Sequence, residues 1–186
     1  MSKTTLTYRD YEALPNDGRR YEIHDGERSV TPSPSFDHQL ISSRLYLHVA
    51  KWVEVHPGGV LLYAPLDAIL SDRADETSIV QPDILYIAPD RTARASRRGL
   101  EGAPTLAVEI LSPSTHRIDR VTKTRLYARY DVPLLWLVDP DARMVEAFEL
   151  HGGRYTLAIA ATDGEPVDLP PFTDLNLVPD RLWPDQ

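Results

Sequence analysis

Two apolar runs constrain the fold of this chain more than any other feature. Leu106-Ala107-Val108-Glu109-Ile110-Leu111 and Leu134-Leu135-Trp136-Leu137-Val138 are almost unbroken hydrocarbon. Neither alternates as a strand with one wet face does, so both read as strands covered on two sides, the habit of a sheet with helices packed against it. Between them, the pattern from about Asp119 to Tyr130 reads as a helix, closed by Pro133. Upstream, Ile41, Leu45, Val49, Trp52 and Val53 recur at helical spacing and predict a helix from about His38 to Val55, with Asp37 as cap and Gly58-Gly59 as stop. Thr7 and Asp10 have the spacing of a capping box for a short helix that ends before Pro15.

Shorter segments fill in the rest. Val60–Tyr63, Asp67–Leu70 and Ile84–Ala88 are strand candidates. Asp25-Gly26 lies between Arg20–His24 and Glu27–Thr31, a hairpin signal because a tight primed turn needs positive φ. His151-Gly152-Gly153 separates Met144–Leu150 from Tyr155–Ala160 and reads as a second hairpin. The expected architecture is α/β, a mixed sheet flanked by helices with β-hairpin additions at both ends. No repeat or long linker divides the chain, so residues 1–186 are expected to form one domain with its core at about 20–150.

Composition narrows the function. There is no cysteine, which excludes disulfides and cysteine-ligated zinc and makes a cytoplasmic setting the simplest expectation. No apolar run approaches the roughly 20 residues of a membrane helix, and Met1–Thr5 leads into polar sequence without a signal region. The formal net charge of -8 argues against sequence-blind binding of nucleic acid, which depends on neutralising phosphates. Yet Arg91, Arg94, Arg97, Arg98, Arg117, Arg120, Lys123, Arg125 and Arg129 face only Glu101, Glu109 and Asp119 within their stretch. A basic zone on an acidic body still attracts a polyanion.

Glu109 is the anomaly. A carboxylate inside an apolar strand must be paired, protonated or bound to a metal, because an isolated buried charge is very costly. Strand alternation puts it on the face it shares with Ala107 and Leu111. Asp83, after Pro82, opens the strand candidate at Ile84. Two carboxylates on adjacent strands repel, and a divalent cation relieves them; an oxygen donor set of this kind suits Mg2+ or Mn2+. Asp119, Lys123 and Tyr127 stand at i, i+4 and i+8, within an arc of roughly 80° on one helix. The stripe carries an acid, an amine and a phenol, and Lys123 is suited to orienting an attacking water or neutralising charge on a phosphate.

Pro82-Asp83, Glu109-Ile110-Leu111-Ser112-Pro113-Ser114, and then Asp119 and Lys123 form an ordered set that resembles the Uma-type restriction-endonuclease-like family, a branch of the PD-(D/E)XK nucleases. Tyr21–Gly26, His38, Tyr127 and Trp136-Leu137-Val138-Asp139-Pro140 fit the same pattern, over roughly residues 20 to 150. The resemblance implies a Mg2+-dependent endonuclease acting on DNA. Asp83, Glu109 and the Ile110 carbonyl would then be metal ligands, Glu22 an additional ligand or a supporting acid, and His38 an orienting group or base. It also implies a departure. The superfamily motif has lysine two residues after the glutamate, where this chain has Leu111, and Lys123 on the helix takes its place. The expected partner is DNA, steered by Arg91, Arg94, Arg97, Arg98, Arg117 and Arg120, with a homodimer as the form suited to cutting two strands. A catalytically decayed module that binds nucleic acid or a protein is the alternative, and a hydrolase of other phosphate esters would use similar groups.

Overall fold

The structure is a computed structural model that describes residues 5–162 and 164–184, without the side chains of residues 92–94. Among the described residues, twelve strands form two six-stranded sheets. The main sheet has the order β12 (Arg154–Ala161), β11 (Met144–His151), β10 (Leu134–Asp139), β9 (Leu106–Ile110), β6 (Ile84–Ile87), β3 (Val60–Tyr63). Only β9 and β10 run parallel in it, with Glu109 beside Leu137. They are the two unbroken apolar runs, and both are buried on both faces as their composition requires. The second sheet has the order β2 (Glu27–Thr31), β1 (Arg20–His24), β5 (Ser78–Val80), β4 (Ala68–Ser71), β8 (Gly99–Glu101), β7 (Ala95–Ser96). The Asp25-Gly26 hairpin therefore belongs to a full sheet that the sequence pattern did not reveal. Its turn has the two positive φ values its residues suggested, 50° and 77°.

The layers follow from strand parity. Leu106, Val108, Ile110, Trp136 and Val138 face one way, onto Ile41, Leu45 and Val49 of helix α2 (Phe36–Val55). The C-terminal segment closes the same face with Leu169, Phe172, Leu175 and Leu177. Ala107, Leu111, Leu135 and Leu137 face the other way, onto Leu126 and Tyr127 of α3 (Thr124–Arg129) and onto Ala68, Leu70 and Val80 of the second sheet. A short helix α1 (Tyr8–Glu12), with the Thr7–Asp10 capping box in place, packs beside the second sheet. Among the described residues no helix is long and apolar enough to cross a membrane.

Two helix starts differ from the sequence expectation. Helix α2 begins at Phe36 with Ser35 as its cap, whose Oγ accepts from the His38 N–H at 3.2 Å. Asp37 lies inside the first turn instead. The helix expected from Asp119 starts at His116, and Ile118–Lys123 within it are wound as a π-helix before α3 continues in α form. The Thr124 N–H reaches back five residues to the Asp119 carbonyl, and the Thr124 hydroxyl donates to the same oxygen at 2.9 Å. Such wide turns are rare and concentrate at functional sites.

Candidate active site

Strand β1, the start of β6, strand β9, helix α2 and the π-wound segment before α3 converge on a cleft of about 260 Å³. Its floor holds Asp83, Glu109, Ile110, Glu22, Asp119 and Lys123, and its walls are the Thr31–Ser35 and Ser112–Thr115 segments. The sites singled out in sequence, residues apart by up to a hundred positions, are thus brought to one place. Lys123 is the hub. It is only 3% exposed, and its ammonium donates to Glu109 at 2.9–3.0 Å and to Glu22 at 3.0 Å, with Asp119 at 3.8 Å. Lys123 meets both oxygens of Glu109, and Tyr127, fully buried one turn on, donates its hydroxyl to Oε1. The polar stripe of the helix faces inward along its whole length, because the carboxylates it meets are inside.

Asp83 is held from three sides. Arg20 donates to Oδ1 at 3.2 Å, the Ile110 N–H to Oδ2 at 2.9 Å and the His38 Nε2 to Oδ2 at 3.2 Å. Against burial, which would raise it, the His38 and Arg20 contacts and the Ile110 amide hold the Asp83 carboxyl below its usual range. Glu22 accepts from the Gln81 N–H at 2.6 Å and from His24 Nε2 at 3.0 Å. Burial would raise it too, but Lys123 and His24 bring it down to about 2. Glu109 goes the other way, up to about 8: burial leads and, with the neighbouring Asp119, Asp83 and Glu22, outweighs the pull of Lys123. Asp119 is raised by burial in the same way. Despite its burial, Lys123 is raised by Glu109, Glu22 and Asp119 and stays an ammonium. Four carboxyl groups share one buried lysine and one arginine, and burial with too few cations is what raises Glu109 and Asp119.

Three contributors were not picked out from sequence: Arg20, His24 and Gln81. Strand β1 does carry a signal, since Arg20, Glu22 and His24 alternate with Tyr21 and Ile23 and so share one face. Gln81 carries none; its part is played by its backbone amide and by the contacts of Arg20 with its carbonyl and side chain.

The arginines expected to meet a polyanion separate into two groups. Arg120 is committed to His116, Asp139 and Glu146. Arg98 is paired with Asp72 and Glu101 at 3.0–3.3 Å, and Arg91 donates to the Ala103 carbonyl at 3.1 Å. Arg97 and Arg117 are exposed. The side chain of Arg94 lies outside the described residues.

The family model described as "Uma2: Putative restriction endonuclease" matches residues 8–179. The chain belongs to the Uma2 family. Its fold is also that of a crystal structure described as "a putative nuclease belonging to DUF820 from Anabaena variabilis ATCC 29413": the TM-score is 0.72 at 20% identity, covering 95% of this chain and 97% of the other. At that identity the likeness speaks for the restriction-endonuclease-like fold alone. None of the curated proteins compared matches the chain.

The donors of this Uma2-family cleft suit a hard divalent cation. They are oxygen atoms, Asp83 and Glu109 open onto the same space, and the crowding that raises Glu109 is what a cation would relieve. At the same wall, the buried Nδ1 of His38 has no protein partner. Among the described residues no three His, Asp or Glu side chains form a metal cage by themselves. Arg20, His38, Lys123 and Tyr127 already contact carboxylate oxygens here, so a cation would also draw on oxygens other than those of the side chains.

Proposed function

We propose that this protein is a Mg2+-dependent endonuclease that hydrolyses phosphodiester bonds in DNA, with Mn2+ able to substitute. The observation that carries the reading is the convergence of Asp83, Glu109 and Lys123 on one cleft although the motif lysine is absent from β9. Asp83, Glu109 and the Ile110 carbonyl would hold the cation, which when bound lowers the pKa of a water and offsets charge on the leaving oxygen. Lys123, kept protonated by Glu109, Glu22 and Asp119, is a donor and not a base. It stabilises the charge that grows on the phosphate, and Tyr127 fixes the Glu109 carboxylate from behind. Arg20 and the Ile110 amide set the orientation of Asp83, with His38 beside them. Of the arginines, Arg97 and Arg117 are the ones exposed to meet the backbone of the strand.

Asp83→Ala and Glu109→Ala are expected to abolish Mg2+-dependent cleavage of plasmid and oligonucleotide DNA with far-ultraviolet dichroism unchanged. Equal cleavage by the wild type and both variants sinks the assignment. A decayed binding module would instead show no change in melting temperature with Mg2+ or Mn2+, whereas a cation bound only by the folded form at a hundredfold its Kd adds about 2.7 kcal/mol.

A further inference from the structure

Behind the residues that line the cleft, a run of buried polar contacts leads from helix α1 to Asp83. It turns on Gln81, the residue before Pro82-Asp83, at the passage from β5 of the second sheet to β6 of the main sheet. Gln81 is 8% exposed. A buried amide is costly unless both of its ends find partners, and here they do. Its Oε1 accepts from the Arg20 Nε at 3.4 Å, and its Nε2 donates to the Asp67 Oδ1 at 2.8 Å and to the Tyr11 hydroxyl oxygen at 3.3 Å. Tyr11, on α1, donates to the same Asp67 oxygen at 2.7 Å. A guanidinium only donates and a carboxylate only accepts, so the amide has one orientation open to it.

The backbone of Gln81 is engaged as well. Its carbonyl accepts from the Arg20 Nη2 at 2.5 Å, and its N–H donates to the Glu22 Oε1 at 2.6 Å. One residue thus grips the Arg20 fork along one edge, through two oxygens, and leaves Nη1 to reach Asp83 at 3.2 Å. The grip matters because Asp83 has competitors: Glu22 and Glu109 draw on Arg20 too. Charge attraction depends on distance alone and does not choose among three acids. A fork held at two points does.

We propose that Gln81 is a positioning residue of this site: it aims Arg20 at Asp83, while Asp67 and Tyr11 of α1 hold its amide in that aim. The inference rests on the cleavage reading above. Gln81 acts only through Arg20 and touches no reacting atom. Without its side chain, Arg20 is free to settle on Glu22 or Glu109, and the Asp83 Oδ1 loses the contact that fixes it. Pro82 stiffens the arrangement, because its ring fixes φ between the residue that aims Arg20 and the residue Arg20 meets. Helix α1, packed beside the second sheet, therefore supports the cleft without lining it.

Gln81→Met keeps the length of the side chain and removes both ends of the amide. It is expected to slow single-turnover cleavage of DNA by about ten- to a hundredfold and to weaken Mn2+ binding, read by electron paramagnetic resonance, as losing an outer partner of a metal ligand does. The KM for DNA is expected to stay unchanged. Arg20→Met is expected to show the same losses, and the double variant no more than either alone, because the two residues act as one unit. Losses that add in full overturn the proposal. So does a Gln81→Met protein that melts earlier yet cleaves and binds Mn2+ as the wild type does, the behaviour of a residue that serves the fold alone. Should Gln81→Met fail to fold, Tyr11→Phe at the far end of the run carries the test: slower cleavage supports the proposal, and cleavage equal to the wild type overturns it. A wild type that neither cleaves DNA nor binds Mn2+ removes the function and this inference together. A wild type that does both, beside an equally active Gln81→Met, removes this inference alone.

Discussion

On one face of β9, Leu106, Val108 and Ile110 meet α2 and Trp136; on the other, a single residue along the same strand, Glu109 meets Lys123 and Tyr127. The first face is held by hydrocarbon packing, which has no orientation to lose and no proton to exchange. The second is held by a network whose members cost free energy unless every partner is present. The two faces share a backbone, so one strand supplies rigidity from one side and chemistry from the other.

The comparison is broken most severely on the dry side. Trp136, fully buried and hydrogen-bonded through its indole to the Pro170 carbonyl at 2.8 Å, is expected to cost about 3–5 kcal/mol when changed to alanine. The loss in urea denaturation is expected to be the same at pH 5 and pH 8. Lys123→Met is expected to cost a comparable amount, about 3–5 kcal/mol, at pH 8 by leaving three carboxylates without their cation. That loss shrinks at pH 5, where protons take the place of the ammonium; a pH-independent loss would mean that the network behaves as ordinary packing. Glu22→Gln sharpens the point. The Glu22 carboxyl is depressed from 4.5 to about 2 in the folded chain, so its contribution, about 3 kcal/mol, is present above pH 4.5 and lost as the pH falls through 2. The gap in urea midpoint between wild type and variant is expected to narrow over that window, and a gap that widens toward acid has the wrong sign. The smallest effect is at the helix that spans the two sides: Ser35→Ala removes the cap of α2 and is expected to cost about 1 kcal/mol, with cleavage changed less than by any substitution on the floor.

The dry face was the part most legible in sequence. Period 3.6 in α2 and the unbroken runs of β9 and β10 record burial directly, and both helix and strands are where they were expected within two residues. The second sheet escaped because β5, β7 and β8 have only three, two and three residues, too few for any period to show. In the cleft, spacing showed that Asp119, Lys123 and Tyr127 share an azimuth but not that the azimuth points inward. A helical wheel gives direction and not depth, and depth is set by what stands opposite, here Glu22 and Glu109 on two different sheets. Ser35 capped in place of Asp37 for a related reason: both side chains are able to cap, and the extended backbone at Ser35, with ψ of 167°, decides between them.

The π-wound turn before α3 has an evolutionary corollary. A lysine carried on β9 keeps its aim whatever the loop after the strand does, but one carried on residues 118–129 is aimed by the count of residues between Leu111 and position 123. The wide turn holds one residue more than an α-turn, so losing that residue would let the segment close in α form and would shift Lys123 relative to Asp119 and Tyr127. In this lineage, insertions and deletions in that short stretch should be purged as strictly as substitutions of the charged residues themselves, while the loops of the far sheet drift freely in length.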